Sequence, residues 1–169
     1  GMKILHPILK EVGDLVAANE LSIAQEHALS SMLKFHVGSI LYQKNSLKKK
    51  SGKLFVLAAP EGELHEFGLI VASLLCHYFN HNFIYLGPNM PALALSETCN
   101  QIKADYLILG VSSSYTPDIR DYLNLLYSSF EAVPQVWLGG ERFYEENFGW
   151  NNLTKVCSLE ELDKKLSSV

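Results

Sequence analysis

Apolar positions along the first forty residues recur at spacings of three and four. Leu5, Ile8, Leu9, Val12, Leu15 and Val16 fall on one face of a helix. A polar break follows at Asn19-Glu20-Leu21. Ser22 with Gln25 three positions later makes a capping-box pattern that opens a second helix, with Ile23, His27, Met32, Phe35 and Ile40 among its less polar positions. That helix is expected to run to about Tyr42, and two helices joined by a short turn should pack antiparallel.

From Lys53 the pattern changes to strands alternating with helices. Lys53–Ala59 is an apolar run of the kind a buried strand carries, and residues 66–80 form a helix rich in Leu, Val and Ala. Phe83–Leu86 predicts a second strand, with a helix beginning near Pro91. Tyr106–Val111 predicts a third strand, after which Thr116-Pro117 reads as a cap and first-turn proline of the next helix. Gln135–Leu138 predicts a fourth strand ending at Gly139-Gly140. A weak fifth strand spans Leu153–Cys157, and a capping box at Ser158 and Glu161 opens the last helix. Five βα units in series imply an α/β fold with a flavodoxin-like or Rossmann-like parallel five-stranded sheet, preceded by a short helical half-bundle. The expected division is a helical cap over 2–43, a linker over 44–52 and the α/β domain over 53–169.

Composition narrows the function classes. The 169 residues are 48% hydrophobic and suffice for one substantial core. A formal net charge of −4 gives no reason to expect direct nucleic-acid contact. The basic cluster Lys44, Lys48, Lys49, Lys50 and Lys53 carries no aromatic residues and reads as a solvated linker. Cys76, Cys99 and Cys157 are far apart, odd in number and without metal-ligand spacing, which argues against disulfides and zinc. No signal peptide and no apolar run long enough for a bilayer is present, so the chain reads as cytoplasmic with no membrane partner. Gly1 before Met2 reads as a tag remnant.

In a doubly wound sheet, ligands bind beyond the carboxyl ends of the strands, at the switch point. The loops to inspect are 60–68, 87–91, 112–116 and 139 onward. The first reads Pro-Glu-Gly-Glu-Leu-His-Glu-Phe-Gly, placing His65 close to three carboxylates. An imidazole held through one nitrogen by a carboxylate, here Glu63, becomes a better metal ligand through the other. Gly68 would let a ligand approach the helix start without a Cβ in the way. A loop histidine beside acids is also the pattern of a surface ion pair, Ser112–Ser114 that of a turn, and Gly139-Gly140 that of a strand end. No glycine-rich phosphate loop follows the first strand, no phospho-acceptor Asp ends it, and no nucleophilic triad stands out.

Taken together, Glu63-x-His65-x-x-Gly68, Ser112-x-Ser114 and Gly139-Gly140 resemble the DxHxxG…SxL…GG signature of cobalamin-binding domains. Gly110–Asp118, reading GVSSSYTPD, keeps the serine and Thr-Pro of the methionine-synthase-like version. In the helical part, Val16 followed by Glu26-His27 resembles the W-x9-EH pattern of the cobalamin-dependent MerR-type, CarH-like regulators, as do Gly62–Glu66 and Leu86-Gly87-Pro88. The resemblance covers residues 5–169.

It implies cobalamin, as adenosyl- or methylcobalamin, held base-off with His65 as the lower axial ligand to cobalt and the nucleotide tail beside Ser112, Ser114, Gly139 and Gly140. Val16, Glu26 and His27 would face the cofactor from above. Three positions depart from the pattern: Val16 replaces the Trp, Ala17 the neighbouring upper-face histidine, and Ser114 the Leu of SxL. Val16 also reads as helix core, and Glu26-His27 as a surface pair. The two predicted helices, against about four in the family's bundle, imply a fragment or a cap completed by a partner. The expected function is a sensory, non-enzymatic module of a transcriptional regulator, acting through homo-oligomerisation or a separate effector segment. Its alternatives are a corrinoid methyl carrier of a methyltransferase system, and a degenerate flavodoxin-like or haem-binding module.

Overall fold

The computed structural model describes residues 22–45, 52–140, 143 and 145–169, and the chain divides into two compact units, 1–48 and 49–169. In the first unit, α1 spans Ile23–Asn45. The predicted capping box opens it: the Gln25 amide donates to Ser22 Oγ (3.3 Å), while the Ser22 amide donates to Gln25 Oε1 (2.9 Å). Val37 is buried, whereas Leu29, Met32 and Phe35 are exposed. The predicted first helix, with Val16 and Ala17, and Lys48–Lys50 of the basic cluster lie outside the described residues.

The second unit is a five-stranded parallel sheet in the order β2-β1-β3-β4-β5, built from β1 (Leu54–Pro60), β2 (Asn82–Met90), β3 (Tyr106–Gly110), β4 (Gln135–Gly139) and β5 (Leu153–Val156). Four helices accompany it: α2 (Phe67–Tyr78), α3 (Ala92–Ile102), α4 (Ile119–Ser128) and α5 (Leu159–Ser167). This is the flavodoxin-like order, one of the two that the alternation left open. The chain leaves β1 toward β2 and then returns past β1 to β3. Right-handed crossovers therefore put α2 and α3 on opposite faces, with α2 packed on α5 and α3 on α4. The central strands are covered on both sides, which is why their sequences are continuous apolar runs: Phe55–Ala59, Leu107–Leu109 and Val136–Leu138 are all buried.

The structure corrects four local expectations. The segment expected as a loop after Leu86 continues as strand, pairing as far as Met90 opposite Pro60 after register shifts. An edge strand tolerates Pro88, and the positive φ of Gly87 (85°) and Asn89 (58°) bends the strand around it. Thr116-Pro117 does not start α4. Asp118 is its N-cap, accepting from the Arg120 amide at 2.9 Å, because the carboxylate reaches the orphan amides.

Among the described residues no α-helix joins β4 to β5. Aromatic side chains fill that place instead. Trp150 stacks on Tyr127 (centroids 4.6 Å apart), Phe148 lies beside Phe143 and Trp150, and Arg120 sits 4.8 Å over Phe148. Lys53 is not a free linker charge: its Nζ donates to Asp105 at 2.9 Å, and Asp105 also accepts from the Leu54 amide.

The last helix is capped as predicted, by the Glu161 amide donating to Ser158 Oγ at 3.1 Å. The returning Glu161 carboxylate takes the Cys157 amide at 2.9 Å. All three cysteines are free, and burial pushes the Cys99 thiol up to about 12. No helix among the described residues is long and apolar enough to cross a membrane.

Candidate functional site

The loops after β1 and β3 diverge at the switch point, and Glu63 joins them. Its side chain is 1% exposed, yet every hydrogen bond a carboxylate needs is supplied by residues beside it. Oε1 accepts from the His65 amide and from His65 Nδ1, both at 2.8 Å. Oε2 accepts from the Ser112 amide and Ser112 Oγ, both at 2.7 Å. Burial alone would push the carboxyl's pKa up. The donors from His65 and Ser112 outweigh it and hold the group below its ordinary value. An ionised Glu63 has no proton to give, so Nδ1 of His65 carries the hydrogen of their bond. In the neutral ring Nε2 then presents a lone pair, and it has no hydrogen-bond partner among the described residues, on a side chain 68% exposed.

Further contacts fix the loop from below and from the side. The Gly62 amide donates to Asn89 Oδ1 and the Asn89 amide to the Glu63 carbonyl, each at 2.9 Å. Asn89 adopts the left-handed φ that this double contact requires, a conformation its short polar side chain tolerates. Tyr115, buried in the core, donates its hydroxyl to the Glu61 carbonyl at 3.1 Å. Glu66 caps the start of α2 in position but not through its side chain, which instead accepts from the Tyr85 hydroxyl at 2.6 Å. Burial, with that bond and the nearby charge, raises the Tyr85 phenol. His65 is thus flanked by two carboxylates, one tied to the β3 loop and the other to β2.

The structure brings Glu63, His65, Ser112 and Ser114 together. Ser114 Oγ lies 2.8 Å from Ser112 Oγ and 3.4 Å from His65 Nδ1. Gly68 stands in the first turn of α2 with open space where a Cβ would project. Gly139 pairs with Gly110 across β3 and β4, and a Cβ there would make only ordinary contacts, the nearest at 3.7 Å. Gly140 is different: its φ is 146°, and a Cβ would meet the Val111 carbonyl oxygen at 2.6 Å. Glu26 and His27 lie on α1, with their side chains, like Val16, outside the described residues.

Asn89, Tyr85 and Tyr115 were not singled out by sequence reasoning. The turn-forming run Gly87-Pro88-Asn89 was a signal for the first. Nothing local marks the two tyrosines, whose roles depend on which strands become neighbours.

No family model matches the chain. Over 139 residues it is 30% identical to the HTH-type transcriptional repressor CarH of Myxococcus xanthus, a match covering 82% of this chain and 46% of that protein. Over most of its own length the chain is similar in sequence to the CarH-type repressors. A second match, to the HTH-type transcriptional repressor CarA of the same organism, is 29% identical over 128 residues, 76% of this chain and 41% of that one. The chain thus spans just under half the length of the curated relatives it matches. Among solved structures, the monomethylamine corrinoid protein of Methanosarcina barkeri superposes with a TM-score of 0.64 at 17% identity, covering 97% of this chain and 79% of that chain. The methanol:cobalamin methyltransferase complex MtaBC of the same organism gives 0.55 at 14% identity, covering 94% and 68%. At these identities the likeness is one of fold alone.

Proposed function

We propose that this chain binds cobalamin base-off, with His65 Nε2 as the lower axial ligand to cobalt, as the sensory module of a cytoplasmic transcriptional regulator. The observation that carries the reading is the buried Glu63 carboxylate on His65 Nδ1. In the neutral ring it holds the hydrogen on Nδ1 and leaves Nε2 exposed beyond the strand ends. The donor set suits a borderline metal such as cobalt. Open space at Gly68 and the lack of close contacts at Gly139 suit a large planar ring and its tail. The matches to repressors support the regulatory half of the reading.

Bound cobalamin would supply a cobalt centre whose upper ligand can change. In the proposed division, residues 53–169 would hold the cofactor, 44–52 would link, and 2–43 would form the helical cap that carries Val16, Glu26 and His27. Ser112, Ser114, Gly139 and Gly140 would receive the tail. A change in upper ligand or occupancy would then alter homo-oligomerisation or a separate effector segment.

The test is an absorbance titration of the apo-protein with adenosyl- and methylcobalamin. The wild type should give the base-off, histidine-on spectrum and His65→Ala should lose its histidine-on features. No spectral change in the wild type would remove the proposal. A second reading, a corrinoid methyl carrier, is favoured by the fold shared with the monomethylamine corrinoid protein. Copurification with a methyltransferase would support it, whereas a change in gel-filtration behaviour on binding or illumination would support the sensor.

A further inference from the structure

The hydrogen-bond network behind His65 contains one hydroxyl more than a carboxylate, a histidine and a serine require. Ser112 Oγ has a single proton and three polar neighbours: Glu63 Oε2 at 2.7 Å, Ser114 Oγ at 2.8 Å and His65 Nδ1 at 3.3 Å. If that proton turned to Nδ1, the ring would have to carry its own hydrogen on Nε2, and Nε2 could not coordinate a metal. The direction of one hydroxyl therefore selects between a ligating and a non-ligating imidazole.

We propose that Ser114 is a positioning residue for His65: its hydroxyl donates to Ser112 Oγ, which commits the Ser112 proton to Glu63 and thereby holds the Nδ1–H tautomer. The inference rests on the proposed role of His65 as ligand.

The distances set the direction of the chain. Glu63 Oε2, already accepting the Ser112 amide, is the nearest acceptor for the Ser112 hydroxyl. Ser112 Oγ is then left with lone pairs only toward Ser114, so Ser114 is the donor of the 2.8 Å contact. Ser114 is closer to Ser112 Oγ than to Nδ1, at 2.8 against 3.4 Å, so its proton serves the serine. Successive donation in one direction strengthens each bond in the series. Ser114 is exposed, Ser112 half-buried and Glu63 buried, so the series runs from solvent to the carboxylate behind the ring. The motif this segment resembles has leucine where Ser114 stands, and leucine cannot take this part.

The experiment is nitrogen-detected NMR of the neutral His65 ring in apo-protein labelled at histidine, comparing wild type, Ser114→Ala and Ser114→Thr. The wild type should be dominated by the Nδ1–H tautomer, Ser114→Ala should move population toward Nε2–H, and Ser114→Thr should restore it. In parallel, methylcobalamin affinity should fall about 2- to 10-fold in Ser114→Ala, the effect of one neutral hydrogen bond, and recover in Ser114→Thr. A wild-type tautomer ratio in Ser114→Ala, or a Thr variant as perturbed as the Ala one, overturns the role of Ser114. Failure of the wild type to bind cobalamin with the tautomer shift intact overturns the proposed function and leaves the positioning role standing.

Discussion

Glu63 and Ser112, 49 positions apart in sequence, share two hydrogen bonds of 2.7 Å to a single carboxylate oxygen. The contact ties the loop that carries the histidine to the loop after the neighbouring strand, and it is made from a side chain with almost no access to water. Removing the carboxylate leaves the amides of Ser112 and His65 without their acceptor. Glu63→Ala is therefore expected to destabilise the apo-protein by about 1–3 kcal/mol, read from urea midpoints at neutral pH. Cobalamin affinity should fall by about 10- to 100-fold, the usual consequence of losing the partner of a metal-bound histidine. An Ala variant with unchanged stability would mean that the four donors find water instead.

The same carboxylate gives a pH dependence of definite sign. Its folded-state pKa lies below the ordinary value of 4.5. Its stabilising contribution is therefore fully present above that value and is lost as pH falls through the lower folded-state value. The stability gap between wild type and Glu63→Gln should be present at about pH 5 and close on further acidification. A gap that widened on acidification would contradict the assignment.

Adjacent glycines should respond differently to alanine. At Gly140 the positive φ and the 2.6 Å approach to the Val111 carbonyl leave no room for a Cβ. Gly140→Ala should cost at least about 1–3 kcal/mol from backbone conformation alone. At Gly139 the added methyl meets nothing closer than 3.7 Å, so Gly139→Ala should leave the fold intact. If Gly139 borders the cofactor tail, Gly139→Leu should weaken cobalamin binding far more than it lowers stability.

The start of α4 offers a test confined to structure. Asp118 caps the helix through the Arg120 amide, and Asp118→Ala should cost about 0.5–2 kcal/mol. Thr116→Ala should be close to neutral, since Thr116 is exposed and outside the helix. Paired thermal melts of the two variants separate these assignments.

These contrasts also mark what the sequence could convey. The buried strands were legible because coverage on both faces forces unbroken apolar runs. His65 with Glu63 was legible because two residues of spacing after a strand end allow the contact locally. The Ser112 half of the network needed β1 and β3 to be neighbours, which the alternation left open between a flavodoxin-like and a Rossmann-like order.

What was illegible has physical reasons too. Gly87-Pro88-Asn89 has turn chemistry, yet the chain pairs through it because an edge strand needs hydrogen bonds on one side only. Thr116-Pro117 has the composition of a helix start, but Asp118 competes for the same amides and wins. The β4–β5 connection holds Phe143, Phe148 and Trp150, and their packing on one another, and of Trp150 on Tyr127, appears only in three dimensions.

The central claim is that the nitrogen on cobalt belongs to His65. Electron paramagnetic resonance of the protein loaded with cob(II)alamin measures that nitrogen directly. The account predicts superhyperfine splitting that changes when the protein alone is labelled with nitrogen-15 histidine, and that loses this dependence in His65→Ala. Splitting from the cofactor's own benzimidazole, unchanged by labelling the protein, would contradict it.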